Sequence, residues 1–240
     1  YYPGQEFARP DAKPMRYDPR EARRLLEEAG WIRDDTGRLI SAEDGSTFPK
    51  ITLETSDRNT SSTRIHRLFK DELWREAGVE MELKQIDPAS QSKKVWDQKF
   101  QLVYWYWSGS RYPNPEFGMH SKFANKKQSS NLAGLQIPEV DELVIKYKYE
   151  DDAAKRVEYL QRIDKLVFDQ HPYALGWYSP SFRLLYWDKF GHPPEYAAKY
   201  GDDLNNIIAY WWFDPEKARL TEQNMASGKS NYPDKPMSQY

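Results

Sequence analysis

Cysteine is absent from the 240 residues, which excludes disulfides, thiolate metal sites and cysteine nucleophiles together. That absence suits a reducing cytosol and a bacterial periplasm equally, so redox chemistry leaves the compartment open. No apolar run approaches the ~18 residues that a membrane-spanning helix requires. Neither sign of charge dominates: 35 Lys and Arg stand against 37 Asp and Glu, a formal charge of −2, and nothing in that balance advertises a nucleic-acid partner. The opening residues, Tyr1 to Phe7, have neither the basic start nor the apolar stretch of a signal peptide. They read as the start of a chain that is cytosolic, already processed or cut from something longer.

Catalytic templates are missing too. No two glycines stand two apart, so there is no dinucleotide fingerprint, and neither a P-loop nor a Gly-x-Ser-x-Gly elbow occurs. The four histidines, His66, His120, His171 and His192, lack metal-ligand spacing. His66 and His171 fall within or beside amphipathic helices and read as hydrogen-bonded structural residues, whereas His120 lies in a long polar loop. The acidic doublets Asp34-Asp35, Asp151-Asp152 and Asp202-Asp203 suit caps and solvated turns better than a glycosidase pair. No metal and no cofactor is expected.

What the chain has in quantity is aromatic: 9 Trp, 17 Tyr and 10 Phe, enough to build a core and ligand walls alike. Asp18 and Pro19, with Glu21 at the capping-box position, predict a helix that closes at Gly30 and buries Ala22, Leu25, Leu26 and Ala29. Thr36 to Pro49 reads as a loop or small hairpin, and Ile51 to Thr55 as a strand. A second helix from Thr60 buries Ile65, Leu68, Phe69, Leu73 and Ala77, Gly78 ends it, and Val79 to Ile86 alternates as a strand with one wet face. A short helix from Ser90 to Lys99 leads into Phe100–Trp107, an apolar and aromatic run suited to a buried strand. Strand, helix, strand, helix, strand predicts an α/β fold with βαβ units.

Ser108 to Ile137 is a polar loop too long for a mere connection, and so a binding or lid segment. Pro138 opens a helix carrying Val140, Leu143 and Val144, and Asp151-Asp152 caps another carrying Val157, Leu160, Ile163, Leu166 and Val167. Tyr173 to Tyr186 is strand-like, and beyond Asp188 Pro, Gly and Asn interrupt every regular element.

One segment carries the binding chemistry. Trp105, Tyr106 and Trp107 end in Ser108, Gly109, Ser110, Arg111, Tyr112, Pro113 and Asn114. Ligands bind at strand ends of open α/β sheets; small residues there admit a ligand to the backbone, Arg111 can grip a carboxylate or phosphate, and the aromatics supply walls. The bland alternative is an aromatic core strand followed by a proline turn. Asn131, within Ser129–Gly134, is either a donor to ligand or part of a turn, and Trp177 and Tyr178 at the end of a late strand are either core or wall.

Tyr17 through Trp31 resembles the "YDPxKAxxLLxEAGW" helix of family 5 extracellular solute-binding proteins, the receptors of peptide and nickel ABC importers. Phe69 to Val79 is similar to that family's next helix and strand, Phe100 to Val103 to its "FDxxxxxW" strand, and Ser130 through Asp141 to its "SNxxGxxxPxVDxLI" segment. His120 to Ala124, Asn131 to Gly134, Trp177 to Pro180 and Tyr210 to Ala218 look like the YejA-like branch, associated with oligopeptides, microcin C and muropeptides. The resemblance implies a type II periplasmic-binding-protein fold, with residues 1–182 as the second lobe and 183–240 crossing back to complete the first. Family members are about twice this length, so the chain looks like a C-terminal half whose N-terminal half is missing or separate.

The implied function is non-catalytic: capture of an oligopeptide or peptide-like solute between two lobes, in the periplasm, and delivery to an ABC permease at the inner membrane. The implied ligand residues are Trp105, Trp107, Ser108, Ser110, Arg111, Tyr112, Asn114, His120, Asn131, Trp177 and Tyr178. Arg111 stands where peptide-binding relatives place an amine-binding Asp, which reverses the charge and points to a ligand anion. The rival reading is a carbohydrate-active enzyme or sugar-binding protein with an aromatic cleft.

Overall fold

The computed structural model describes residues 6–13, 15–107, 113–176, 185–193 and 209–231. The chain groups into two compact units, one of Arg9–Tyr106 with Pro115–Pro172, the other of Tyr1–Ala8, Trp107–Asn114 and Tyr173–Tyr240.

In the first unit, the Asp18 carboxylate accepts the N–H groups of Arg20 and Glu21 at 3.1 and 3.0 Å and opens α1 (Pro19–Glu28). The helix forms where predicted, but its apolar stripe is not buried. Ala22 and Ala29 are exposed, Leu25 is 51 % exposed, and Leu26 alone of the four packs, half-buried, on the cluster of Leu39, Ala77 and Val79. The cluster is small and α1 lies on its rim. Strands β1 (Trp31–Arg33) and β2 (Leu39–Ser41) form an antiparallel hairpin, with Trp31 edge-on to Phe48 at 4.9 Å between ring centroids.

Strand β3 (Ile51–Thr55) leads to α2 (Thr60–Glu72), whose N-cap Asn59 accepts the N–H of Ser61 at 2.8 Å. A π-helical turn (Leu73–Ala77) and the left-handed Gly78 then deliver β4 (Met81–Gln85), α3 (Pro88–Trp96) and β5 (Leu102–Val103). These strands make a parallel sheet in the order β4-β3-β5. The alternation in β4 is as expected, with Met81 buried and Glu82 and Lys84 exposed.

Two predictions fail here. Of the stripe expected of the second helix, Ala77 is buried and Leu73 packs half-buried, but Ile65, Leu68 and Phe69 are exposed at 55, 54 and 43 %, and the buried residue of α2 is His66. The inward face runs through Ser62, His66 and Leu73, because periodicity locates a stripe without saying which side the sheet will occupy. The Phe100–Trp107 strand shrinks to the two residues of β5, leaving Tyr106 84 % and Trp107 46 % exposed. Side chains extend the ladder at both ends: Gln101 Oε1 accepts the Thr52 N–H at 2.8 Å, and Gln91 Nε2 donates to the Tyr104 carbonyl at 3.3 Å.

The long loop contains a short helix, α4 (Glu116–Met119), and a 3-10 turn at Ser121–Phe123. Helices α5 (Pro138–Tyr149) and α6 (Ala153–Phe168) start as predicted, the latter capped by Asp152, and bury Val140, Leu143, Val144, Ile163 and Val167 in one cluster with Leu135. Arg9 ties the N-terminal segment to α6, donating to Asp164 at 2.9 Å with its guanidinium 5.5 Å over Phe168.

In the second unit, β6 (Phe190–Gly191) and β7 (Trp212–Phe213) pair antiparallel. A 13-residue helix, α7 (Pro215–Ser227), corrects the expectation of no regular element past Asp188. Its cap repeats that of α1: Asp214 accepts the N–H groups of Glu216 and Lys217 at 3.0 and 3.1 Å ahead of a first-turn proline, and Gly228 ends it at φ +67°. Residues 173–176 and 185–186 carry no strand, and the rest of that strand-like stretch lies outside the described residues.

Candidate functional site

All three strands of the parallel sheet point the same way, so Ser56, Ile86 and Tyr104 emerge together at its C-terminal edge. Open α/β sheets bind ligands at this edge. Gln91, buried in the first turns of α3, organises it. Its Nε2 donates to the carbonyls of Glu54 and Tyr104, both at 3.3 Å, while its Oε1 accepts the N–H of Ser56 at 3.2 Å and the Ser56 hydroxyl. One amide thus joins the ends of β3 and β5 beside the last backbone bond between them, from the Tyr104 N–H to the Glu54 carbonyl at 3.4 Å.

Beyond this clasp the chain becomes aromatic. The Trp105 ring meets Trp96 edge-on at 6.3 Å and stacks on Tyr106 at 6.1 Å. In the second unit, Trp107 meets Tyr173 edge-on at 6.3 Å, and burial pushes the Tyr173 phenol above its ordinary value. Asn114 is exposed. Ser108, Ser110, Arg111, Tyr112, Trp177 and Tyr178 lie outside the described residues.

His120 and Asn131 come together in the loop of the first unit. Asn131 is wholly buried; its Nδ2 donates to the carbonyls of His120 at 3.3 Å and Leu135 at 2.9 Å, and its Oδ1 accepts the Leu135 N–H at 2.8 Å. Its amide is committed to the backbone. His120 Nδ1 lies 3.0 Å from Asp141 Oδ1 and 3.2 Å from the Lys122 N–H, and Asp141 Oδ1 also accepts the Ser121 N–H at 2.8 Å. The loop is pinned to the end of α3 and the turn after it as well, through the Gln128 N–H to the Trp96 carbonyl at 2.8 Å and Gln98 Nε2 to the Asn131 carbonyl at 2.6 Å. Glu116 bonds Lys122, and Lys148 at 3.2 Å; these cations hold its carboxyl below the usual range.

Sequence reasoning missed Gln91 and Asp57, and gave His66 a structural role only. Gln91 carries no motif, only its place three residues after the helix-opening Pro88. His66 is 5 % exposed, but among the described residues neither ring nitrogen has a hydrogen-bond partner, contrary to the hydrogen-bonded role expected of it. Its ring meets Tyr104 edge-on at 4.7 Å between centroids. Burial lowers its pKa from the ordinary 6.5, while the Asp57 carboxylate pulls the other way. Asp57 accepts the Asn59 N–H at 2.8 Å, and a hydrogen bond with Ser62 foremost keeps its own carboxyl low. Among the described residues no group of three or more His, Cys, Asp or Glu could hold a metal ion, and no helix is long and apolar enough to cross a membrane.

The chain is 24 % identical over 219 residues to the uncharacterized protein y4wM of Sinorhizobium fredii, covering 88 % of this chain and 32 % of that protein. It is 23 % identical over 208 residues to "Probable peptide-binding protein YejA" of Agrobacterium fabrum, covering 84 % and 32 %. The chain therefore spans about a third of the length of these curated relatives. Among solved structures it is similar to the oligopeptide-binding protein AppA from Bacillus subtilis in complex with a nonapeptide, at 22 % identity and TM-score 0.66, over 86 % of this chain and 40 % of AppA. That likeness shows the type II periplasmic-binding-protein fold expected from the sequence. The family model described as "Bacterial extracellular solute-binding proteins, family 5 Middle" matches residues 1–130 of the 240, and the chain belongs to that family.

Proposed function

We propose that this chain is part of the ligand-binding subunit of an ABC importer. The subunit captures an oligopeptide or peptide-like solute between two lobes and passes it to permease subunits at the inner membrane, in the periplasm, without chemical conversion. The observation that carries this reading is the aromatic chain leaving the C-terminal edge of the parallel sheet, Tyr104 to Trp107, in a member of the family 5 solute-binding proteins. Two further features support it: the similarity to proteins named for oligopeptide or peptide binding, and flat rings that hold extended peptides of varied sequence without covalent chemistry.

On this reading residues 1–182 belong to the second lobe and 183–240 cross back to the first, whose remainder is an N-terminal segment of the same protein. The ligand residues are Trp105, Trp107, Ser108, Ser110, Arg111, Tyr112, Asn114, His120, Asn131, Trp177 and Tyr178, of which His120 and Asn131 act by shaping their loop. Arg111 offers a planar fork of donors and no acceptor, so it suits a carboxylate or phosphate and not an ammonium.

The test is calorimetry of the protein with a set of free-acid peptides and their carboxyl-amidated counterparts, followed by mass spectrometry of the recovered peptides. Binding with unchanged mass, stronger for the free acids, and loss of that preference in Arg111→Ala is the expected result. A desolvated charge-assisted pair costs on the order of 2–5 kcal/mol when one partner is removed. Cleaved or modified peptides would replace the receptor reading with an enzyme.

A further inference from the structure

We propose that His66, as a neutral imidazole, is a positioning residue for Tyr104 and the aromatic strand end that follows it, and that protonating His66 releases that strand end. The geometry behind this is local. The backbone of Tyr104 is held on both sides, its N–H on the Glu54 carbonyl at 3.4 Å and its own carbonyl on Gln91 Nε2 at 3.3 Å. Those bonds place the chain but leave the ring free to turn about its side-chain torsions. Edge-on contact with His66 at 4.7 Å is what the ring rests against.

The histidine is itself unusual. A buried imidazole normally donates from one nitrogen and accepts at the other, yet among the described residues both nitrogens of His66 lack a partner at 5 % exposure. An apolar aromatic would fill the same space without that desolvation cost, so burial alone does not account for a histidine here. What a histidine adds is a second state. A proton would place an unpaired cation in a buried site and would draw the imidazole toward Asp57 or solvent.

Asp57, on the loop between β3 and α2, is the charged group acting on His66, and Tyr104 is the titratable group packed on it. Arg64, Arg67 and Lys70 of the same helix and Glu82 and Lys84 of β4 are all exposed, directed to water instead of the imidazole. Movement of His66 toward Asp57 would withdraw the support under Tyr104, the residue from which Trp105 and Tyr106 continue.

The inference rests on the reading of this strand end as a ligand wall, so its test is run first without ligand. Proton NMR of the protein identifies the His66 ring signal by its loss in His66→Phe, and tryptophan emission is followed from pH 8 to pH 5. The expected result is a His66 midpoint below the ordinary value of about 6.5 and an emission step at the same midpoint. That step is absent in His66→Phe, retained in Tyr104→Phe, which keeps the ring, and absent in Tyr104→Leu, which removes it. Titration of His66 at the ordinary value, or an emission step that survives in His66→Phe or in Tyr104→Leu, overturns the proposal. If His66→Phe fails to fold, wild type and the two Tyr104 variants decide it alone. Peptide calorimetry at pH 7.5 and 5.5 separates this from the functional reading. An emission step in a protein that binds no peptide sinks the receptor reading and leaves His66 as positioner; peptide binding without the step does the reverse.

Discussion

Gly78 stands against Gly37: a Cβ built on Gly78 would lie 2.4 Å from the Gly37 carbonyl oxygen and 2.9 Å from the Leu39 nitrogen. The contact brings the end of the π-helical turn onto the β1–β2 hairpin, where the Gly78 carbonyl accepts the Leu39 N–H at 3.0 Å. Gly78 also has φ +71°, in the left-handed region. Both facing atoms are backbone, so neither can rotate away as a side chain would.

Gly78→Ala is therefore expected to destabilise the first unit by roughly 2–4 kcal/mol, the left-handed cost plus the clash. Gly45 is the control, because it has φ +70° and open space around its Cβ position. Gly45→Ala should cost about 1–2 kcal/mol, the conformational term alone. Urea unfolding of the two variants measures the difference, and equal losses would remove the close approach from the account.

Asn131→Ala should lower stability by roughly 2–3 kcal/mol, since the buried Leu135 N–H and two carbonyls lose their partner together. Thermal unfolding reads this directly. A variant of unchanged stability that binds peptide less well would instead make Asn131 a ligand contact.

At the joint between α1 and the π-helical turn, Glu76 bonds Arg75 at 3.0 Å and Arg23 at 2.9 Å, and these bonds, Arg75 first, lower its pKa. A folded-state pKa below the unfolded one means stabilisation that is complete above the unfolded value, near 4.3, and lost as pH falls through the lowered folded value. Glu76→Gln should flatten the fall in unfolding midpoint between pH 5 and pH 2.5. The effect will be modest, because the pair is partly exposed.

Trp107→Ala should weaken binding of free-acid peptides by about tenfold or more while moving the melting temperature little, since the ring is 46 % exposed. Equal losses in affinity and stability would return Trp107 to a packing role. Trp105, half-buried between Trp96 and Tyr106, should lose some of both.

Much of the framework was legible because it is set by local chemistry. Asp-Pro before an apolar period opens a helix wherever it stands, as Asp18-Pro19 does, and the alternation of Met81 to Gln85 admits one strand with one wet face. The same cap at Asp214-Pro215 passed unread amid the prolines and asparagines around it, although the helix it opens runs 13 residues. The candidate site was legible as a strand end and a resemblance. The buried groups that organise it were not: Gln91 and His66 belong to no motif, and their importance comes from the ends of strands far from them in sequence.

What the sequence determined by itself is where the capped helices of the first unit open, the parallel βαβ order and the aromatic chemistry at the end of the third strand, all of which follow from caps, periodicity and residue type within a few turns. What only the tertiary structure decided is which side of each element faces in. Ile65, Leu68 and Phe69 have the spacing of a buried stripe, yet His66 is the residue beneath α2, because the sheet's position relative to the helix is set by contacts with β4 and Tyr104. A helical stripe records an apolar face; the partner that meets it is specified by residues tens of positions away.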